Sequence, residues 1–117
     1  MQKLKGKRIL LVEDDALVLL LLGDMVAEFG CRVAATASNV EDGVAKATLL
    51  DCDMALLDLD LHGRRCYPIA DTLLRRGVPF AFVTGYDENT VPKRFAAIPI
   101  ISKPFGGETV ARTLKTL

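Results

Sequence analysis

Short apolar runs alternate with segments of helical periodicity along the chain. Five of these runs are bounded by turn residues and are nearly all apolar, as expected for parallel strands buried on both faces. The runs are Arg8 to Glu13, Arg32 to Ala35, Met54 to Leu57, Phe80 to Val83 and Pro99 to Ser102. Strands that alternate with helices in this way are typical of repeated βα units. The pattern therefore predicts an α/β fold, a (βα)5 doubly wound sheet of five parallel strands.

The first helical segment has the clearest periodicity. Apolar residues at i, i+3, i+4, i+7 and i+11 form a stripe that we expect to face the sheet, and Gly30 ends the helix. The stripe consists of Val18, Leu21, Leu22, Met25 and Phe29. Further helices are predicted at Val40 to Leu50, Cys66 to Arg76, Glu88 to Phe95 and Glu108 to Thr116.

Length and charge narrow the class of protein. The chain has 117 residues, close to the commonest domain size, and we expect one domain over residues 1–117. Lys plus Arg and Asp plus Glu are both 15, so no global charge favours nucleic acid or an anionic membrane. The longest uninterrupted apolar run, Ala16 to Leu22, is too short to span a bilayer. Three scattered cysteines favour a reducing compartment, so we expect a cytoplasmic protein that binds neither nucleic acid nor membranes.

Polar residues follow four of the five predicted strands at their carboxyl ends. Glu13 and Asp14 end the first strand, and Asp58 follows the third. Thr84 follows the fourth strand, and Lys103 follows the fifth. Ligands of open parallel sheets bind beyond the carboxyl ends of the strands, where the strand order reverses. We therefore expect these side chains to form one site.

Three carboxylates in one crevice cannot all remain ionised without a cation. Mg²⁺ is the predicted ion, because it binds few carboxylates and keeps several waters. We expect Asp14 and Asp58 to bind it directly, the backbone carbonyl of Asp60 to supply a third oxygen, and Glu13 to hold a metal-bound water. Asp58 then becomes a carboxylate nucleophile for phosphoryl transfer. Thr84 and Lys103 would bind the phosphoryl oxygens.

From about Lys7 to the C-terminus, the sequence resembles the receiver domain of two-component response regulators. Leu11 to Asp15 is similar to the acidic pair of that family, and Leu57 to Asp60 is similar to its phosphoacceptor strand end. Lys103 to Phe105 is similar to its lysine followed by a cis proline. The resemblance implies the flavodoxin-like strand order 2-1-3-4-5. It also implies that Asp58 accepts a phosphoryl group from a sensor histidine kinase or a histidine phosphotransfer protein.

The same resemblance implies a stand-alone signalling protein, a monomer or weak dimer, that acts through a downstream protein target. It would catalyse only its own phosphorylation and dephosphorylation, and Thr84 and Lys103 would sense the phosphorylated state.

One position departs from the usual receiver pattern. Receivers carry an aromatic switch residue three positions before the lysine, and this chain has Ile100 there. With the segment Pro79 to Tyr86, this resembles the receiver subgroup nicknamed FAT GUY, with Val83 replacing its usual alanine. We expect Tyr86 to replace the missing aromatic in part. Pro92 lies inside the predicted fourth helix, which is therefore expected to be short or irregular.

Two other functions remain open. Asp58 and Asp60 also resemble the paired aspartates of haloacid dehalogenase-type phosphatases, although that nucleophile lies on the first strand of a longer domain. The second alternative is a receiver-like interaction module that is not phosphorylated. Simpler interpretations apply to single residues: Asp15 is predicted to cap the first helix, and His62 is expected to be an exposed loop residue without a role.

Leu19 and Leu20 lie beside the predicted core stripe of the first helix. We expect them to be buried at the edge of the core. The alternative is a docking patch for the phosphodonor protein, since the first helix is a usual contact for kinases in the family that the chain resembles.

Overall fold

A computed structural model describes residues 3–85 and 91–117. In this part of the chain, five strands form one parallel sheet. The five strands are β1 Arg8–Val12, β2 Arg32–Ala37, β3 Met54–Asp58, β6 Phe80–Thr84 and β7 Ile100–Ser102. Numbered among themselves, they have the order 2-1-3-4-5. The predicted fold class and strand order are therefore confirmed, with strand ends that differ by one or two residues.

Helices cover both faces of the sheet. They are α1 Ala16–Glu28, α2 Val40–Leu49, α3 Tyr67–Arg76 and α4 Gly107–Thr116. Apolar side chains of α1 and α4 pack in one core, which includes Leu22 and Val110. Those of α2 and α3 pack in the other, which includes Val40 and Leu73. Among the described residues, no helix combines the length and the apolar character needed to cross a membrane.

The central strands are buried because they supply both cores. In β1, Leu10 belongs to the core under α2 and α3, whereas Leu11 belongs to the core under α1 and α4. Leu57 and Leu56 in β3 divide in the same way. Successive side chains of a strand point to opposite faces of the sheet, so a strand covered on both faces must be apolar throughout. The first polar residues follow where the strands leave the cores, so these residues lie together at the carboxyl ends of the strands.

Asp15 starts α1 as predicted. Its side chain accepts hydrogen bonds from the backbone N–H groups of Leu17 and Val18, at 2.9 and 3.3 Å. The helix ends before Gly30, which has a φ of +86°. This left-handed conformation has little cost for glycine, so the chain can turn directly into β2.

The orientation of α1 differs from the prediction. Leu22 and Val26 are fully buried, but Leu21, which was assigned to the core stripe, is 46% exposed. Leu20 is 61% exposed, so its predicted burial is also wrong, whereas Leu19 packs against the core. An unbroken apolar run contains no polar residue to mark the solvent side, so its pattern does not fix the rotation of the helix. Leu17, Leu20 and Leu21 form an exposed surface that we call the α1 face.

The predicted fourth helix, Glu88 to Phe95, is not found as an α-helix in its described part. Residues 86–90, which include Tyr86, lie outside the described residues. After them, Lys93–Phe95 form a single 3-10 turn that follows Pro92. Proline has no N–H group and its ring clashes with the preceding turn of a helix, so an α-helix through this position is disfavoured.

A small hairpin was not predicted. The polar stretch after β3 contains β4 Asp60–Leu61 and β5 Arg64–Arg65, which pair antiparallel. The two residues between them, His62 and Gly63, have φ angles of +52° and +81°. Positive φ at both central residues is the mark of a type I′ turn, whose twist suits a two-residue hairpin.

Candidate functional site

An open cleft of about 400 Å³ lies at the carboxyl ends of β1 and β3. It contains five of the six residues that the sequence predicted for the site, together with Asp15 and Gly85. The complete lining is Glu13, Asp14, Asp15, Asp58, Asp60, Gly85 and Lys103. The sixth predicted residue, Thr84, is buried at the end of β6 and does not line the cleft.

Glu13 is the most buried carboxyl group of the cleft. The residue follows β1, its backbone N–H donates to the carbonyl of Ala37, and it is only 1% exposed. The Oε2 atom accepts a hydrogen bond from the N–H of Asp15 at 3.1 Å. Burial, followed by the adjacent Asp58 side chain, raises the pKa of Glu13 to about 8. Without a bound cation, this side chain therefore holds a proton near neutral pH.

Asp14 lies at the mouth of the cleft, with its side chain about a quarter exposed. Its Oδ2 atom accepts a hydrogen bond from the backbone N–H of His62 at 3.0 Å. Partial burial acts to raise the pKa of Asp14, but hydrogen bonds, first from His62 and then with Glu13, outweigh it and lower the pKa. The pKa values of two neighbouring carboxyl groups are thus shifted in opposite directions, and Asp14 is the group that is kept ionised.

Asp58 is the last residue of β3 and is 5% exposed. Its Oδ1 atom accepts a hydrogen bond from the N–H of Asp60 at 3.2 Å. Its Oδ2 atom lies 3.2 Å from the ammonium nitrogen of Lys103. The carboxylate is therefore fixed from two sides at the base of the cleft.

Lys103 reaches the cleft from the end of β7. Its Nζ atom bridges two carboxyl groups, 3.0 Å from Glu13 Oε1 and 3.2 Å from Asp58 Oδ2. Burial alone would lower the pKa of Lys103, but contact with Glu13 and the charge of Asp58 raise it. The lysine therefore stays charged. The peptide bond between Lys103 and Pro104 is cis, as the family resemblance implied.

The carboxyl groups are close enough to share a cation. Glu13, Asp14 and Asp58 each offer an oxygen atom within 4.8 Å of the other two. Glu13 Oε1 is buried, and the ammonium of Lys103 lies 3.0 Å from it. One ammonium opposes these three carboxyl groups, so a divalent cation with its waters suits the remaining negative charge. The residues present therefore fit the predicted Mg²⁺.

Thr84 and Ile100 lie on adjacent strands beside the cleft. Thr84 is fully buried, it pairs with Ser102 in the sheet, and its carbonyl accepts a hydrogen bond from the N–H of Lys103 at 2.8 Å. Ile100 is half-buried at the start of β7. The β6–β7 pairing thus fixes the backbone of Lys103 relative to that of Thr84.

His62 was predicted to be a loop residue without a role. Its side chain is exposed, as expected, but its backbone N–H contacts a predicted metal ligand. Gly63 was the available signal, because glycine at the second central position is typical of two-residue hairpins. The flanking Asp60, Arg64 and Arg65 do not form a strand-like apolar run.

The chain belongs to the response regulator receiver domain family, whose family model matches residues 9–115. The fold and the acidic cleft agree with this class of signalling domain. Among curated proteins, the transcriptional regulatory protein PdtaR of Mycobacterium tuberculosis is 25% identical over 103 residues. That alignment covers 85% of this chain and 50% of PdtaR. The chain thus spans about half the length of this curated relative.

Two solved structures have the same fold and sequence similarity. SdrG from Sphingomonas melonis Fr1 has a TM-score of 0.83 and 33% identity, and the match covers 93% of each chain. The receiver domain of PhyR from Erythrobacter litoralis has a TM-score of 0.82 and 26% identity, over 96% of this chain and 89% of that one. The structural similarity to these two proteins therefore extends over nearly the whole receiver fold.

Proposed function

We propose that residues 1–117 form one receiver domain that accepts a phosphoryl group on Asp58 and transmits a signal through altered protein contacts. The donor is a phosphohistidine of a sensor histidine kinase or a histidine phosphotransfer protein, the reaction depends on Mg²⁺, and the site of action is the cytoplasm. The observation that carries the proposal is the position of Asp58 at the base of an acidic cleft, within 3.2 Å of the ammonium of Lys103.

The chemistry is a phosphoryl transfer between nitrogen and oxygen. A carboxylate oxygen of Asp58 attacks the phosphorus atom, and a new O–P bond forms while the N–P bond of the phosphohistidine breaks. The imidazole nitrogen leaves with the bonding electrons and regains a proton. The ammonium of Lys103 is placed to offset negative charge on the phosphoryl oxygens, since it already lies beside Asp58.

Glu13, Asp14 and Asp58 are the side chains proposed to hold Mg²⁺, with the backbone carbonyl of Asp60 as a further ligand. This set is supported by the proximity of the three carboxyl groups, each of which offers an oxygen atom within 4.8 Å of the other two. When bound, Mg²⁺ supplies charge neutralisation during the transfer. Asp14 is held ionised by the hydrogen bond from His62, whereas Glu13 holds a proton that it must lose before it can bind a cation.

The phosphorylated state adds negative charge and acceptor oxygens next to Lys103 and close to Thr84. The N–H of Lys103 is bonded to the carbonyl of Thr84, so a shift of either residue moves the ends of β6 and β7 together. We propose this pair as the sensor of phosphorylation. Ile100 lacks the aromatic ring of the usual switch, so the signal must pass by another contact.

The α1 face is the proposed contact for the phosphodonor protein. Leu17 is 75% exposed and Leu20 is 61% exposed, and Asp15, the N-cap residue of α1, lines the acidic cleft. An apolar surface beside the phosphoacceptor suits a partner that must bring a phosphohistidine to Asp58.

The first experiment is incubation with acetyl phosphate, with and without Mg²⁺, followed by intact-mass measurement. We expect one phosphoryl adduct on the wild type in Mg²⁺ and none on Asp58→Asn. Asp60→Asn is the matched variant, because it keeps the backbone carbonyl and changes only the side chain. Its adduct is expected to form, since a receiver does not use that side chain as an acid or base.

The other two functions predict different results. A haloacid dehalogenase-type phosphatase would release phosphate with turnover and would lose activity in Asp60→Asn, and the receiver family match argues against it. An interaction module that is not phosphorylated would give no adduct from acetyl phosphate or from protein phosphodonors. Absence of an adduct from both donor types would overturn the proposal.

A further inference from the structure

The β4–β5 hairpin connects the acidic cleft to the core beneath α2 and α3. At its start, the N–H of Asp60 donates to Asp58. At its tip, the N–H of His62 donates to Asp14 Oδ2 at 3.0 Å. One short hairpin thus contacts two of the three clustered carboxyl groups, and both hydrogen bonds are donated by backbone N–H groups. The imidazole Nδ1 of His62 lies farther away, 3.8 Å from the same Asp14 oxygen.

The hairpin is firmly anchored. Leu59 and Leu61 are buried in the core, with 2% and 1% exposure. The N–H of Cys66 donates to the carbonyl of Leu59 at 3.0 Å and closes the base. Buried leucines and ladder hydrogen bonds restrict the movement of β4, so the direction of the His62 N–H depends mainly on the geometry of the turn.

The turn itself requires unusual backbone angles. His62 has a φ of +52° and Gly63 a φ of +81°. A residue with a side chain is disfavoured in this region, and a β-branched residue most of all. A Cβ added to Gly63 would meet no atom within 4 Å, so a substitution there acts through backbone strain rather than through a clash.

We propose that the His62–Gly63 turn is a positioning element, in which the His62 N–H holds the carboxylate of Asp14 in the orientation that binds a divalent cation. This inference rests on the proposed Mg²⁺-dependent function of the cleft. A hydrogen bond to Oδ2 fixes the plane of the carboxylate and stabilises its ionised form. Groups that orient metal ligands typically change metal affinity by about 10–100-fold when they are lost.

The test measures Mg²⁺ affinity by NMR titration of backbone amide signals, which does not require phosphorylation. Gly63→Val is expected to weaken Mg²⁺ binding by about tenfold or more. The rate of phosphorylation by acetyl phosphate should fall at low Mg²⁺ and recover at saturating Mg²⁺. Gly63→Ala is the milder variant, and it is used if the valine variant does not fold.

Gly77→Val is the matched control. Gly77 also has a positive φ, +70°, with no atom within 4 Å of an added Cβ, but it ends α3 away from the cleft. We expect it to lower stability and to leave Mg²⁺ affinity within about twofold of the wild type. An equal loss of affinity in both glycine variants, or none in Gly63→Val, would overturn the inference.

A second pair of variants separates the backbone from the imidazole. Asparagine tolerates positive φ and keeps the N–H group, so His62→Asn should bind Mg²⁺ about tenfold more tightly than His62→Val. Equal affinities for these two variants would also reject the inference. If the wild type neither binds Mg²⁺ nor forms an adduct, the proposed function itself fails, which is a different result.

Discussion

The acidic cleft, which Asp15 lines, and the α1 face, which begins two residues later at Leu17, depart from the usual distribution of side chains in opposite directions. The cleft buries carboxyl groups: Glu13 is 1% exposed and Asp58 is 5% exposed. The α1 face exposes leucines, with Leu17 at 75%. Most proteins place charged groups in water and large apolar groups inside, so both regions require an explanation.

The two departures have different energetic consequences. A buried carboxylate loses hydration that one lysine only partly replaces, and the raised pKa of Glu13 is the sign of this cost. An exposed leucine loses nothing relative to the unfolded chain and simply adds no burial energy. The cleft therefore opposes folding, whereas the α1 face has little effect on it. Stability measurements can separate the two regions.

The largest expected effect is on the buried side of α1. Leu22→Ala removes a side chain that is 1% exposed and should lower the free energy of unfolding by about 2–5 kcal/mol. Leu20→Ala, two residues away at 61% exposure, should change it by less than about 0.5 kcal/mol. Urea unfolding followed by circular dichroism measures both, since the chain has no tryptophan. Similar losses for the two variants would show that Leu20 is buried and that the α1 face does not exist.

A substitution in the acidic cleft should raise the free energy of unfolding rather than lower it. Glu13→Gln is expected to stabilise the protein by on the order of 4 kcal/mol near pH 8 in the absence of divalent cations. The pKa of Glu13 rises from 4.5 to about 8 on folding, so the folded state favours the protonated form. The protonated Glu13 side chain contributes fully to the stability of the fold below about pH 4.5, and this contribution is lost as the pH rises toward 8. Glutamine resembles the protonated form at every pH and avoids this loss.

The pH dependence gives the control for this prediction. Unfolding is measured in EDTA from pH 4.5 to pH 8. Glu13→Gln and the wild type should be equally stable at the acid end, and the difference between them should grow toward pH 8. Glu28→Gln, at an exposed position on α1, should follow the wild type throughout. A constant difference between Glu13→Gln and the wild type would mean that titration of this carboxyl group is not the cause.

Most of the sheet and of the cleft could be predicted from the sequence, for a clear physical reason. A strand buried on both faces must be apolar along its length, so its end is marked by the first polar residue, as at Asp58. In a parallel sheet those ends meet at one edge. Side chains that lie far apart in the sequence, such as Glu13 and Lys103, are therefore brought together by topology alone, here to 3.0 Å.

The features that could not be predicted depend on information that a pattern lacks. The rotation of α1 is set by packing, because six apolar residues in succession, from Leu17 to Leu22, give no polar mark for the solvent side. The hydrogen bond from His62 to Asp14 is made by a backbone N–H group, which every residue except proline has, so no side-chain motif reveals it. The depth of Thr84 below the cleft likewise depends on the exact strand end.

The smallest effect on stability is expected at the α1 face itself. Leu17→Glu with Leu20→Glu should change the free energy of unfolding by less than about 0.5 kcal/mol, because both side chains already lie in water. The same change should slow phosphotransfer from a histidine kinase or histidine phosphotransfer protein by about tenfold or more, since charged groups replace an apolar contact surface. Transfer from acetyl phosphate, which needs no docking surface, should keep its rate.

The comparison of the two phosphodonors decides the role of this surface. A matched variant, Leu49→Glu, changes a leucine that is 84% exposed at the end of α2, so it tests whether any exposed leucine has the same effect. It should leave transfer from both donors unchanged. If the α1 variant keeps its rate with protein donors, the exposed leucines do not dock the donor. If instead it slows with both donors, the substitution disturbs the cleft, and the two regions are coupled through Asp15 rather than separate.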